Sequence, residues 1–433
     1  NVAFTADNKA QALFDNCFQV LDGPDAPDLT IQELDKELIF YLTNSELSNN
    51  FNEEYEEEDP NIITPDTVLD QGITYDNKYR FQGYQVFQLS AEDVSINDIM
   101  DLSRARLVFQ CDIVDRDTTL VNYIFDEQLQ ANIPQVMVEG ANDGITHSFR
   151  ITEDQFASGN ARLINYKTYY YIAIAYATNN YKRYAQDVAP DPGNPLTPAS
   201  DGQKVPYLAS RQSATGGQID PVTAIPHRPV YESNGTVVNA RYGDLVGVTR
   251  WQGTGNGGNG LELTDETVNR LMEDKDWESG EVPVQLTYRL GTSPINVKVV
   301  DPLSIIDGDF VMKFVNNEPG ELILDDTARW ELALNGTDTV RSDRSIGSLN
   351  EQLLIGTTNN WGLSVEIGQT RLAGPDAQGE IRARNNGYIG ATATFPGQVN
   401  WLSGIPDTDG NSPFNWILSG SVSGSGDQQY GDR

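Results

Sequence analysis

Hydrophobic positions along this chain recur at every second residue. In the run Lys78 to Leu89 (Lys-Tyr-Arg-Phe-Gln-Gly-Tyr-Gln-Val-Phe-Gln-Leu), Tyr79, Phe81 and Gly83 alternate with polar residues, after which Tyr84, Val86 and Leu89 carry the apolar content. In the run Tyr166 to Tyr176, Tyr169, Tyr171, Ala173 and Ala175 fall on one face and Tyr170, Ile172, Ile174 and Tyr176 on the other. Aromatic and β-branched residues at period two predict strands, and a strand apolar on both faces is a central one. The same pattern gives two antiparallel strands over 28–34 and 37–44, and further strands over 105–114 and 147–151. Ile96, Ile99, Met100 and Leu102 lie near helical spacing, so a short helix capped by Asp93 is expected across 93–103. About six to seven strands result, the number that an immunoglobulin-type sandwich needs.

Punctuation divides the remainder. Residues 1–24 read as the end of a preceding domain or an extension, and 25–186 as the first sandwich with long insertions at 45–77 and 115–145. The acidic run 52–60 within the first insertion is expected to stay solvated and mobile. Residues 187–230 hold eight prolines and few apolar residues, which reads as a linker. The connecting segment 231–280 carries a glycine loop and a helix over 265–274 with Thr264 as its N-cap. Strands then come densely, over 282–290, 295–300, 309–315, 320–325, 329–335, 361–369, 379–384, 387–395 and 414–419. That density predicts a second sandwich of jelly-roll type across 281–422, before a Gly/Ser tail at 423–433. The expected fold class is all-β, tandem sandwiches joined by a Pro-rich linker.

A chain of 433 residues is too long for one core. Its charge narrows the partners. With 63 Asp and Glu against 29 Lys and Arg, the net is −34, which repels nucleic acid and anionic lipid. Such a surface suits a secreted or cell-surface protein and is compatible with hard cations. No apolar run approaches the length of about 20 residues that a membrane helix needs. The start at Asn1 without a signal-peptide pattern is read as a processed or truncated piece of a longer polypeptide.

A proline-rich opening, a strand ending in Gly83-Tyr84-Gln-Val-Phe and the late Tyr169–Tyr171 group resemble a fibronectin type III domain. More widely, the chain resembles large surface proteins of Bacteroidota exported by the type IX secretion system. The residues that carry this are Gly23-Pro-Asp-Ala-Pro-Asp, Glu33-Leu-Asp-Lys-Glu-Leu, Arg80-Phe-Gln-Gly-Tyr, His147-Ser-Phe-Arg-Ile-Thr-Glu-Asp and Gly253-Thr-Gly-Asn-Gly-Gly-Asn. The resemblance implies an exported, extracellular or outer-membrane location and a trimmed sorting domain. It also implies the short O-glycosylation sequon of such proteins, matched at Thr67, Thr118, Thr327 and Thr339.

Candidate chemistry is sparse. Gly253-Thr-Gly-Asn-Gly-Gly has the glycine spacing of a dinucleotide loop but no following βαβ unit, and a turn-rich loop is the expectation. His147 and His227 lie 80 positions apart, neither near a nucleophile elbow, and structural roles are expected for both. Cys17 and Cys111 are either a disulfide pair or free buried thiols. Asp407, Asp409 and Asn411 have the alternating oxygen ligands of a calcium loop without the distant bidentate Glu, and Asp307-Gly-Asp is a weaker candidate. Trp251, Trp277, Trp330, Trp361, Trp401 and Trp416 are either sugar-stacking platforms or core. The expected function is a non-enzymatic surface protein that adheres to, or assembles with, other envelope or extracellular subunits or itself. The alternatives are a carbohydrate-binding module of a glycan-degrading system and, last, a hydrolase using a carboxylate pair.

Overall fold

The computed structural model describes residues 21–113, 115, 117–142, 144–229, 238–246, 265, 266, 269, 295–316, 327–345, 351–356 and 360–367, which fall into two units divided at residue 232. In chain order the first carries β1 (Asp28–Leu34), β2 (Glu37–Thr43), β3 (Glu56–Glu58), β4 (Lys78–Leu89), β5 (Ala105–Asp112), β6 (Thr119–Asp126), β7 (Ala131–Glu139), β8 (Ser148–Ile151), β9 (Tyr169–Thr178), β10 (Tyr207–Ala209) and β11 (Val222–Ala224).

One antiparallel sheet runs β1-β2-β8. The other is built on the long antiparallel pair β4–β9, with β3 and β5 in tandem along the free side of β4 and β10 and β11 in tandem along the free side of β9. Three strands facing four columns of strands make a β-sandwich, the architecture that the alternation predicts. Between the sheets, Leu38, Phe40 and Leu42 of β2 and Phe149 of β8 pack on Tyr84 and Val86 of β4 and Tyr171, Ala173 and Ala175 of β9. Phe40 sits 4.8 Å from both Phe149, stacked, and Tyr171, edge-on.

The second face of the large sheet is also buried. Phe87, Leu89, Ile172 and Ile174 form a cluster with Val94 and Ile99 of the 90–104 segment, with Ala105 at the start of β5 and with Ile219. Tyr176 joins Leu120 and Val138 at the root of the β6–β7 hairpin, together with Tyr207. The change of phase in the Lys78–Leu89 pattern is a bulge in the β4–β9 ladder between Phe81 and Gly83. Glycine is required there, because a Cβ at Gly83 would lie 2.1 Å from the Cys111 carbonyl oxygen and 2.7 Å from the Tyr176 hydroxyl.

Three expectations change. Across 93–103 the only helical piece is a 3₁₀ turn over Ile96–Asp98. There the Asp98 carboxylate accepts the Ser95 N–H (3.0 Å) and hydroxyl (3.1 Å), and Ile99 is drawn down onto the sheet instead of continuing a helix. The acidic run 52–60 is built in rather than loose. β3 pairs with the start of β4, where Glu56 meets Lys78 and receives the Arg80 Nε at 3.0 Å. The Pro-rich stretch 187–230 is also part of the first sandwich, not only a linker. Pro206 and Pro221 stand just before β10 and β11, so neither interrupts a ladder that needs their missing N–H.

The second unit contains β12 (Ile295–Val299), β13 (Phe310–Val315), β14 (Arg329–Leu334), β15 (Asp338–Arg341), β16 (Glu351–Leu354) and β17 (Leu363–Ile367). They form two antiparallel sheets, β12-β17-β16 and β13-β14-β15, over a shared core of Ile295, Trp330, Leu332, Trp361 and Val365. β15 and β16 are not among the expected strands. The β14–β15 hairpin turns at Asn335 and Gly336, which have φ of 49° and 73°, and this Asn-Gly pair is a hairpin signal present in the sequence. The strands expected over 282–290, 320–325, 379–384, 387–395 and 414–419 lie outside the described residues.

Because Ile174 is completely buried on the face a plain sandwich would leave open, Ile174→Ala should cost about 2–5 kcal/mol in denaturant unfolding. A change below about 0.5 kcal/mol, typical of surface positions, would mean that face is not covered. On β17, burial and the facing Glu351 carboxylate push Glu366 above the usual carboxylate range, opposed by Lys298. A carboxyl raised in the folded state stabilises below its unfolded pKa of about 4.3 and loses that contribution as pH rises through the folded value. Glu366→Gln should therefore raise the melting temperature near pH 7 and change it little near pH 4. An equal shift at both pH values would contradict the assignment.

Candidate interaction site

The insertion 115–145 folds into the β6–β7 hairpin, whose two strands pair only with each other among the described residues. At its root Leu120 and Val138 are buried against the large sheet. Midway, Asn122 closes the edge of β10: its Oδ1 accepts the Tyr207 N–H at 3.0 Å and its Nδ2 donates to the Tyr207 carbonyl at 3.2 Å. This side chain substitutes for a neighbouring strand, satisfying a backbone pair that would otherwise be buried without partners. On the other face Tyr123 packs edge-on against Tyr184 at 4.7 Å, and Asn132 Nδ2 donates to the Tyr184 hydroxyl at 2.6 Å.

Beyond these anchors the hairpin stands clear of the sheet. Ile124 and Phe125 are each 55% exposed and Leu129 68%. Ile124 and Phe125 point to opposite faces of β6, so the outer half is apolar on both sides. The turn itself is ordered: Asp126 Oδ1 accepts the N–H groups of Gln128 (2.7 Å) and Leu129 (2.8 Å), and Gln130 takes a φ of 50°. A preorganised apolar tip at the end of a two-stranded ribbon can insert into an apolar groove at small entropic cost.

Between this hairpin and the 90–104 segment, the outer face of the large sheet is left partly open as a cleft of about 890 Å³. Its lining includes Ile96, Ile99 and Met100 of the 90–104 segment, Met137 of the hairpin, Val205, and Tyr207 and Ala209 of β10.

The residues singled out in the sequence occupy other places. Cys111 is a free, buried thiol with Sγ 3.6 Å from the Thr146 carbonyl. Burial pushes it up to about 12, which leaves it protonated and unreactive; Cys17 lies outside the described residues. His147 stands at the entrance to β8 with Nε2 2.6 Å from Glu53 Oε1, and Glu53 also accepts the Tyr84 hydroxyl at 3.2 Å. His227 lies 3.3 Å from Glu33, beside the β1–β2 hairpin. Both therefore fasten chain segments to the first sandwich. Trp330 and Trp361 are core residues of the second unit, so neither offers a face to a sugar. Trp251, Trp277, Trp401 and Trp416, the glycine loop 253–258 and the calcium candidates Asp407, Asp409 and Asn411 lie outside the described residues. Asp307-Gly-Asp forms the turn into β13, where Asp309 and Asn335 bond each other. Glu351 and Glu366 are cross-strand partners, but Lys298 at 2.9 Å and the Ser364 hydroxyl at 2.6 Å hold Glu351 within the sheet.

Thr67, Thr118, Thr327 and Thr339 are all exposed, and the residue after Thr67, Thr327 and Thr339 is buried. The threonine of each sequon is thus presented outward. The hairpin has a signal in the sequence, since Val121-Asn-Tyr-Ile-Phe and Ile133-Pro-Gln-Val-Met-Val are β-rich runs flanking Gln128-Leu-Gln. No family model matches the chain, and neither does any curated protein or solved structure.

Replacing Asn122 by Leu keeps the volume but strands the Tyr207 N–H and carbonyl. That should cost about 1–3 kcal/mol and speed amide exchange at Tyr207 ahead of the β4–β9 ladder. Unaltered exchange at Tyr207 would show that the Asn122 contacts do not hold the edge.

Proposed function

We infer that this chain is a non-enzymatic, exported surface protein whose sandwiches act as scaffolding and whose β6–β7 hairpin docks into other extracellular or envelope subunits. The observation that carries this reading is the ordered, exposed apolar tip formed by Ile124, Phe125 and Leu129. Large apolar side chains on a rigid protrusion are the usual anchors of protein interfaces. The net charge of −34 disfavours nucleic acid and anionic membranes as the counterpart, and no helix among the described residues is long and apolar enough to cross a membrane. The resemblance to Bacteroidota proteins of type IX export supplies the compartment. The exposed Thr67, Thr118, Thr327 and Thr339 fit attachment of glycans in that compartment.

The test uses the native exporting cell. Phe125→Asp and Leu129→Asp are surface changes and should leave the unfolding transition within about 0.5 kcal/mol. They should nevertheless release the protein from the cell surface or its native particle into the medium. Variants retained at the surface to the wild-type level would sink the reading.

A further inference from the structure

We propose that the cleft at the root of the hairpin is a binding pocket for an apolar molecule bearing one carboxylate, of medium-chain fatty-acid size. Its volume of about 890 Å³ falls in the range of about 300–1,000 Å³ that small-molecule sites occupy. The lining mixes apolar residues with polar ones such as Ser95, Asn97, Ser210 and Gln212, and its Met100 and Val205 remain 44% and 45% exposed. Two methionines, Met100 and Met137, are among the lining residues, and this side chain adapts to varied apolar shapes.

The charge of the lining is the second observation. No aspartate or glutamate borders the cleft, although 63 of the 433 residues are acidic. The one charged residue there is Arg211, which is exposed and makes no ion pair among the described residues. A guanidinium with free donors binds a carboxylate in bidentate fashion. Asp22, Asp25 and Asp98 reach the lining only as hydrogen-bond partners of Gln212 and Ser95, so Arg211 is the one charge on the lining itself.

A peptide strand fits this place less well. Asn122 already holds the outward groups of Tyr207. Gly23 lies so close to the Ala209 carbonyl that a Cβ would be 2.1 Å from its oxygen, and the Ala26 N–H donates to Gln212 at 2.9 Å. With the edge of β10 occupied, strand addition has no open ladder to extend. What remains is room for an apolar body beside a cation.

The experiment is calorimetric titration of the whole chain with decanoate, decanol as the neutral control. Decanoate should bind saturably at one site. Arg211→Gln should weaken it about tenfold and leave decanol unchanged, as expected for loss of one charge-assisted contact. Met100→Glu, at an exposed wall position, should also weaken decanoate by placing a carboxylate beside it. Unchanged unfolding curves for both variants would separate binding from folding. Phe125→Asp at the hairpin tip should leave decanoate affinity untouched, so the pocket and the docking function fail independently. Absence of saturable decanoate binding up to about 1 mM, or no effect of Arg211→Gln, would overturn the proposal. Displacement of decanoate by an apolar peptide of higher affinity would reassign the pocket to a protein partner.

Discussion

A central strand that is apolar on both faces has to be covered twice, since each large apolar side chain left in water forgoes roughly 1.5–3 kcal/mol. β9 is that strand here. Tyr169, Tyr171, Ala173 and Ala175 complete the sandwich core, and Ile172, Ile174 and Tyr176 need a further layer on the opposite side. The first unit is accordingly a sandwich with a partial third layer, supplied by the 90–104 segment and the hairpin root. The tandem edge strands β10 and β11 follow from the same constraint. They close the free side of β9 with two short pieces drawn from a proline-rich stretch that cannot donate a continuous ladder.

Polar groups caught between these layers are satisfied in small, local sets. Gln88, on the inner face of β4, donates to Asp154 at 2.7 Å, and Lys167 reaches the same carboxylate at 2.6 Å. Burial opposes ionisation of Asp154, but the Lys167, Gln88 and Phe156 hydrogen bonds more than offset it and hold the carboxyl below the usual range. Gln85 on the other face bonds the Tyr207 hydroxyl at 2.8 Å and the Met137 carbonyl at 3.0 Å, tying sheet to hairpin. These contacts fix where the third layer sits, because a buried amide that lost them would carry its full desolvation penalty.

The incompleteness of the third layer makes the candidate site. Two covering elements arrive from different parts of the chain, and neither spans the whole outer face, so a cleft remains where they fail to meet. The hairpin overshoots the sheet for the same reason: past the contacts of Asn122, Tyr123 and Asn132, its apolar residues Ile124, Phe125 and Leu129 stay largely exposed. Cleft and tip are thus two consequences of one packing arrangement, and they present different chemistry, one concave with a lone guanidinium, the other convex, with apolar side chains flanking the acidic turn at Asp126 and Glu127.

Local sequence determined the strand identity of 28–34, 37–43, 78–89 and 169–178, the all-β class, and the two-sided character of β9, because side-chain alternation and β-branched content are properties of neighbouring residues. Pattern alone did not separate β9 from the outer half of β6. Val121-Asn-Tyr-Ile-Phe is as apolar as parts of Tyr169–Tyr176, yet one is exposed and the other sealed. What covers a face depends on segments far away in the chain, such as Ile219 over Ile172 or Tyr207 over Tyr176. For that reason the exposed hairpin tip, the cleft beside Arg211 and the pairing of Glu56 with Lys78 and Arg80 emerged only from the tertiary structure.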